Sequence, residues 1–407
     1  LHSRMNGHQI AYLDNSATTR VSDEVAEIMM KVMKEDFGNP SSKHMKGVES
    51  ERYLREARET LAGILRVSEK EIIFTSGGTE SNNMALIGAA MANARRGKHI
   101  ITTQIEHASV TEPLKFLEGE GFEITYLPVD GQGHISLDDL AGAIRDDTIL
   151  VSTIYVNNEI GAVQDVAAIG KLIKKKDPEI IYHIDAIQAF GKYDIFPSRI
   201  GADLVSVSGH KFHGPKGIGF LYVSPKIKIR PLVLGGGQQK GRRSGTDNVP
   251  GAAGIALAAS LCYEHRADNV AHMISLKDHM IDALNELGGG AVSGEGSVGK
   301  GGFSIKVNSQ KGEAGAPHIV SCTFAPVKSE VLLHALEERG VYVSSGSACS
   351  SNKPGLSGTL QAIGLSKQEA DQTLRFSFCE TTTMEEIDYA VAALKELLPV
   401  LSKFTAR

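Results

Sequence analysis

Between residues 71 and 209 the chain alternates two textures. Glu71–Thr75 (EIIFT), His99–Thr103 (HIITT), Phe122–Val129 (FEITYLPV), Thr148–Val156 (TILVSTIYV), Glu179–Ala186 (EIIYHIDA) and Ala202–Gly209 (ADLVSVSG) are short apolar runs of strand length. Apolar runs without apolar–polar alternation suit strands covered on both faces. Helical spacing fills the intervals, from Glu80 to about Arg96 and from Val110 to Gly121. Strands alternating with helices predict a mostly parallel α/β sheet. From about residue 261 the pattern changes. A long helical stretch, residues 259–288, leads into shorter strands and a final amphipathic helix over 384–404. We therefore expect a large α/β domain over residues 16–260 and a smaller α+β domain made of 1–15 and 261–407.

Composition narrows the class. A length of 407 residues corresponds to two or three domains at roughly 150 residues each. A net charge of −5 offers no basic surplus, so direct binding to nucleic acid or to an anionic membrane is not expected. The sequence has no apolar run of about 18 residues, the length a spanning helix needs, and LHSRMNGHQIAYLDN is too polar for a signal peptide. The four cysteines, Cys262, Cys322, Cys349 and Cys379, form no CxxC pair. That argues against a disulfide scaffold and for a reducing, cytoplasmic setting. Gly and Pro punctuate the chain without a fixed period, which excludes repeat architectures.

Candidate chemistry gathers at the ends of the expected strands. Lys211, in SVSGHKFHGPKGIG (206–219), follows one of them among small polar residues and glycines. A desolvated lysine there can act as an amine nucleophile. Asp185 ends another apolar strand, where a carboxylate needs a cationic partner, either a protein side chain or a ring nitrogen. Gln188 follows three residues later. Thr75–Asn83 (TSGGTESNN) places a Gly pair between a strand and a helix start, a geometry that presents N–H groups to a phosphate. It matches neither GxGxxG nor GxxxxGK[ST]. His107 and the Asn157–Glu159 run end two further strands. In an open α/β sheet these ends share the ligand-binding edge. An amine, a buried acid, an anion cradle and a stacking ring together suit pyridoxal phosphate.

With these residues in place the sequence resembles the NifS/IscS-type cysteine desulfurases, class V aminotransferase relatives among the fold-type I pyridoxal-phosphate enzymes. The likeness runs from YLDNSATT (12–19) to RFSFCETTT (375–383) through TSGGTESNN, EHASV, VNNEIGAVQ, HIDAIQAFGK, SGHKFHGPKGIG, GGGQQKGRRSGTDN and SSGSACSS. The resemblance implies that Lys211 holds pyridoxal 5'-phosphate and moves the substrate α-proton. It implies that Asp185 pairs with the ring nitrogen, Gln188 with the phenolic oxygen, and that His107 stacks on the ring. Gly78, Thr79, Ser208 and His210 would hold the phosphate, joined by Thr246 from the second subunit of a homodimer. Asn157 and Arg375 would bind the substrate carboxylate. Cys349, in a Ser/Gly-rich loop at about 344–357 that reads as mobile, would take sulfur from L-cysteine as a persulfide and pass it to an acceptor protein, leaving alanine. Sulfur so delivered would serve Fe–S cluster assembly, tRNA thiolation or cofactor synthesis.

The chain departs from the pattern where the family has Gly-Arg after RFS-x and this sequence has Cys379-Glu380. A second thiol then lies four residues after the expected substrate arginine, as a plain replacement or as part of sulfur handling. The loop after Cys349 and the run 309–321 also differ from the usual form. No metal is expected, since His210 and His213 lack a third ligand nearby in sequence. Selenocysteine lyase or another class V activity is the alternative, followed by a partner-dependent scaffold with little turnover alone. A loop thiol at Cys349 favours the desulfurase.

Overall fold

The computed structural model describes residues 4–5, 8–289, 302–346 and 357–405. Residues 347–356 of the expected Cys349 loop, including Cys349 itself, lie outside these residues, while Ser344–Ser345 forms a short strand and Ser357 caps a helix.

Seven strands form the main sheet: β1 (Ile72–Thr75), β2 (His99–Thr103), β3 (Glu123–Leu127), β4 (Thr148–Ile154), β5 (Ile181–Asp185), β6 (Leu204–Ser208) and β7 (Gly219–Val223). Their order across the sheet is β1-β7-β6-β5-β4-β2-β3. All run parallel except β7, which lies antiparallel to both β1 and β6. Successive residues of a strand enter different cores. Ile72 and Phe74 join one cluster with Leu54, Leu61 and Ile255, while Ile73 joins another with Met84, Val110 and Leu114. Val205 and Val207 against Leu204 repeat the division. This double burial is why the strands read as unbroken apolar runs.

Helices Asp23–Lys34, Met45–Leu65 and Val249–Glu264 supply residues to the first cluster. The second takes its residues from the helical stretch after β1 and from Ala108–Gly119. The stretch after β1 begins as helix Gly78–Asn83, widens into a π turn at Met84–Gly88 and closes as Ala89–Asn93.

A second, four-stranded antiparallel sheet has the order Ser304–Val307, Ile319–Ala325, Thr373–Ser377, Ser344–Ser345. Its core includes Leu276, Met280 and Leu284 of helix Arg266–Leu287 and Leu394 and Leu398 of helix Met384–Thr405. Ala11 and Leu13 are buried in the same core. Ala11–Tyr12 pairs in parallel with Val341–Tyr342.

Three sequence expectations change. Strand β7 has no counterpart among the expected strands. The helix expected to be continuous over 259–288 breaks at His265, whose backbone leaves the helical region at φ −115°. There Arg266 turns back to Lys192 O at 3.2 Å and to Asp194 at 2.8 Å. The run 309–321 contains a short 3-10 turn, Gly312–Ala314, before the strand that begins at Ile319, and the carbonyls of Gly312 and Gly315 accept from Lys277 Nζ at 2.6 and 3.1 Å. No helix among the described residues is long and apolar enough to cross a membrane.

Candidate active site

The parallel strands β1, β4, β5 and β6 end on one edge of the sheet, and Gly219, which starts β7, pairs there with both Thr75 and Ser208. Over this edge lies a cavity of about 340 Å³. Gly78, Thr79, His107, Asp185, Gln188, Ser208, His210, Lys211 and Arg375 all line it. Ser16, Ala17, Ser109 and Asn158 line it as well.

Lys211 closes a 3-10 turn, Gly209–Lys211, directly after β6. Its Nζ donates to the carbonyls of Ser16 and Ala17, both at 2.7 Å. Asp185 is the last residue of β5 and is buried. Asn82 Nδ2 donates to its Oδ2 at 3.0 Å and the Ile187 N–H to its Oδ1 at 3.0 Å. Among the described residues no cationic side chain forms an ion pair with it, and burial pushes its carboxyl above the usual range. A carboxylate so placed is stabilised by a cation brought close to it. The charge of Lys211 acts on this carboxyl in the opposite sense to burial, while its ammonium donates to the two carbonyls.

The acid is tied to His107 by a chain of hydrogen bonds. The same Asn82 Nδ2 donates to Ser109 Oγ at 2.9 Å, and Ser109 Oγ lies 2.8 Å from His107 Nδ1. His107 caps the Ala108–Gly119 helix, its Nδ1 accepting the Ser109 N–H at 3.0 Å. A nitrogen that accepts carries no proton, so the ring proton sits on Nε2 and the ring is neutral. Burial lowers its pKa in the same direction.

An anion cradle forms at the end of β1. Gly77 caps the following helix at φ 151°, a conformation open to glycine, and leaves the first N–H groups of the helix without a side-chain cap. A Cβ on Gly78 would stand 2.3 Å from Ile187 Cδ1, so the helix start packs closely against the turn after Asp185. Burial holds His210, 3.1 Å from Thr18 Oγ1, neutral with a pKa of about 4.

Arg375 is buried on its strand. Nη1 donates to Asn158 O at 2.9 Å and Nη2 to Asp14 at 3.1 Å, while the buried Nε has no partner. A guanidinium anchored in this way at the cavity wall presents a fixed positive charge to a carboxylate. Taken together, the cavity offers partners for a phosphate, a ring cation, an electrophilic carbon and a carboxylate.

One expected residue is displaced. Asn157 does not line the cavity. Its Nδ2 donates to Ile105 O at 2.9 Å and Thr359 Oγ1 at 3.1 Å, and its Oδ1 accepts the N–H groups of Glu159 and Ile160, both at 2.9 Å. With both donors and its acceptor engaged, it shapes the turn after β4. Asn158 faces the cavity instead. Gln188 lines the cavity but spends its amide on Ser16 O at 2.9 Å and His318 Nε2 at 3.0 Å. Thr246 is exposed, away from this cavity. Residues not singled out from sequence include Asn82, Ser109 and the carbonyls of Ser16 and Ala17. Asn82 stands inside the TSGGTESNN run, four residues after Gly78 and so one turn along the same helix face, which is the signal that could have found it.

Likeness to known proteins agrees with this geometry. The family model "Aminotransferase class-V" matches residues 11–390. Cysteine desulfurase IscS of Methanosarcina thermophila is 41% identical over 394 residues, covering 97% of this chain and 93% of the relative. A solved NifS-like protein superposes with a TM-score of 0.88 at 37% identity, covering 97% of this chain and all of that one. SspA, solved in complex with cysteine, gives a TM-score of 0.77 at 34% identity, covering 92% of this chain and all of that one.

Proposed function

Because the chain belongs to the class V aminotransferase family and is one of its cysteine desulfurases, we propose that it holds pyridoxal 5'-phosphate above Asp185 and converts L-cysteine to L-alanine, with Cys349 receiving the sulfur. The observation that supports this reading best is a buried Asp185, without an ion pair among the described residues, that lines one cavity with Lys211 and Arg375.

When bound, the cofactor supplies an electrophilic carbon for an amine and a ring that draws electrons from the substrate α-carbon. Each protein group then has one task. Lys211 Nζ would hold the cofactor and is the amine placed to move the substrate α-proton. Asp185, kept in place by Asn82 and the Ile187 N–H, retains the proton on the ring nitrogen. His107 packs on the ring as a neutral imidazole, which adds no charge opposite that nitrogen. Gly78, Thr79, Ser208 and His210 receive the phosphate, and Thr246 of a second copy completes the cradle in a homodimer. Arg375 takes the substrate carboxylate, with Asn158 beside it in place of Asn157. Cys349 attacks as thiolate: a new S–S bond forms to the substrate sulfur while the Cβ–S bond breaks. The electron pair stays on carbon, which is protonated to give alanine. A sulfur-acceptor protein then discharges the persulfide. The free thiols of Cys262, Cys322 and Cys379 suit a reducing cytoplasm.

Purified enzyme given L-cysteine is expected to release alanine and sulfide in equal amounts. Lys211→Ala should abolish the visible cofactor band, and Cys349→Ser should keep the band and stop sulfide release. Full activity in Cys349→Ser would refute the persulfide route.

A further inference from the structure

Behind the cavity, on the far side of the Lys211 turn, lies a separate cleft of about 1000 Å³ whose lining includes His213, Cys379 and Glu380. They come from two distant parts of the chain, His213 lying 166 and 167 residues before the adjacent Cys379 and Glu380. One ligand atom from each, an imidazole nitrogen, Cys379 Sγ and a Glu380 carboxylate oxygen, all lie within 4.8 Å of one another. We propose that His213, Cys379 and Glu380 form a binding site for a zinc-like divalent cation, with the fourth position open to the cleft.

The supporting contacts are those of a metal site. His213 Nδ1 donates to the Arg20 carbonyl at 2.8 Å, which fixes the ring and turns Nε2 toward Glu380 Oε2 at 3.1 Å. A carbonyl behind the non-ligating nitrogen is the usual arrangement for a metal-bound histidine. His213 holds this pose with φ at 64°, unusual for a residue with a Cβ, and its N–H is tied to Thr19 Oγ1 at 2.8 Å. The sulfur has hydroxyls around it. Thr381 Oγ1 lies 3.2 Å from Sγ and Thr382 Oγ1 3.7 Å. The Cys379 N–H donates to Thr382 Oγ1 at 3.1 Å, which holds that hydroxyl beside the sulfur.

The ligand set selects the ion. Thiolate with imidazole favours zinc-like ions over magnesium or calcium, which prefer all-oxygen sites. Zinc bonds of about 2.0–2.3 Å in a tetrahedron hold donors roughly 3.3–3.6 Å apart, so side-chain shifts of about an ångström close the trio on an ion. Ionised Cys379 and Glu380 supply two negative charges against the ion and against Lys192, which lines the small void beside them. The site does not depend on the cofactor reading.

The test uses cofactor-loaded enzyme carrying Cys349→Ser and Cys262→Ser, so that neither the loop thiol nor the second thiol of the cleft can report, after dialysis against a chelator. Titration with Co²⁺ is expected to raise a near-ultraviolet thiolate-to-cobalt band at one equivalent per chain. Zn²⁺ is expected to displace it and to raise the thermal midpoint. Adding Cys379→Ser should remove the band and weaken Zn²⁺ binding about 100-fold or more. His213→Gln should weaken it too, and that variant decides the matter if Cys379→Ser does not fold. Unchanged Zn²⁺ affinity in the folded variants would overturn the proposal. So would failure of the parent to take up either ion while Cys379 reacts with iodoacetamide equally fast with and without Zn²⁺, since the trio would then be only a hydrogen-bonded cluster.

Discussion

His183 offers a direct test of how the floor of the active site is held. It lies on β5 two residues before Asp185 and is fully buried. Nδ1 is 2.8 Å from Ser152 Oγ on β4, and Nε2 is 2.9 Å from Ser206 Oγ on β6, so one ring bridges three strands beneath the cavity. Burial lowers its pKa to about 3, against about 6.5 in an unfolded chain. The folded form is neutral, while the unfolded chain takes up a proton below pH 6.5. Stability is therefore complete above pH 6.5 and is lost as pH falls toward 3. At about 1.4 kcal/mol per pKa unit, the loss attributable to this ring reaches at most about 5 kcal/mol. Denaturant unfolding of the holoenzyme, followed by circular dichroism from pH 7.5 to 4.5, measures the slope. His183→Gln keeps a hydrogen-bonding side chain that does not titrate. Its stability should fall more shallowly than wild type below pH 6, by about 1 kcal/mol per pH unit. His99, His107, His210 and His318, whose pKa values burial also lowers, remain in both proteins and cancel in the difference. Equal slopes would show that His183 is not held neutral, and the reasoning would fail.

Three further outcomes are expected. Arg375→Lys keeps the charge but loses the fork, so KM for L-cysteine should rise about tenfold or more with a smaller change in kcat; unchanged KM would remove Arg375 from carboxylate binding. Asn82→Ala takes one of two donors from Asp185, and cofactor dissociation should become about tenfold easier, in line with about 1.4 kcal/mol for a hydrogen bond to a buried charge; absorbance titration of apoenzyme with pyridoxal phosphate reads it. Gly78→Ala should weaken the same titration because its Cβ meets Ile187 Cδ1 at 2.3 Å, and Ile187→Val, which deletes Cδ1, should restore binding in the double variant; no restoration would place the fault in the helix start itself.

The parts of the fold legible from sequence are those where burial on two faces leaves a plain pattern. His99–Thr103 is found residue for residue, and the other expected parallel strands contain the observed ones. Gly219–Val223 escaped because it follows a glycine-rich turn within ten residues of Ser208, and no local pattern distinguishes an antiparallel return from a parallel crossover. The helix break at His265 depends on Arg266 reaching Lys192 O and Asp194, contacts without local signature. At the site, strand ends could be placed on a common edge, but not which of two adjacent asparagines faces it. Asn157 Oδ1 accepts from the next two N–H groups but one, a turn habit of asparagine that favours Asn158 for the cavity. Pairing of His213 with Cys379 and Glu380 was illegible, because sequence spacing weighs near neighbours and these meet only through tertiary folding.

The active cavity and the rear cleft share supports, and that makes their coupling a mechanical matter. Residues 16–20 run between them. Carbonyls of Ser16 and Ala17 receive Lys211 Nζ on one side, while Thr19 Oγ1 and the Arg20 carbonyl hold His213 on the other. The second segment behaves alike: Arg375 faces the cavity, and Cys379 and Glu380, after the strand ends at Ser377, face the cleft. Ser377 Oγ meets both the N–H and the hydroxyl of Ser16, at 2.8 and 2.9 Å, and so pins the strip to that segment. A ligand that draws His213 toward Cys379 and Glu380 therefore pulls on the two segments that present Lys211 and Arg375. Close-packed elements transmit such a pull rather than absorb it, so occupancy of the rear site should be read in KM for L-cysteine as well as in thermal stability. A rear-site ion that raises the thermal midpoint and leaves KM untouched would mean that the shared strip is rigid enough to isolate the two.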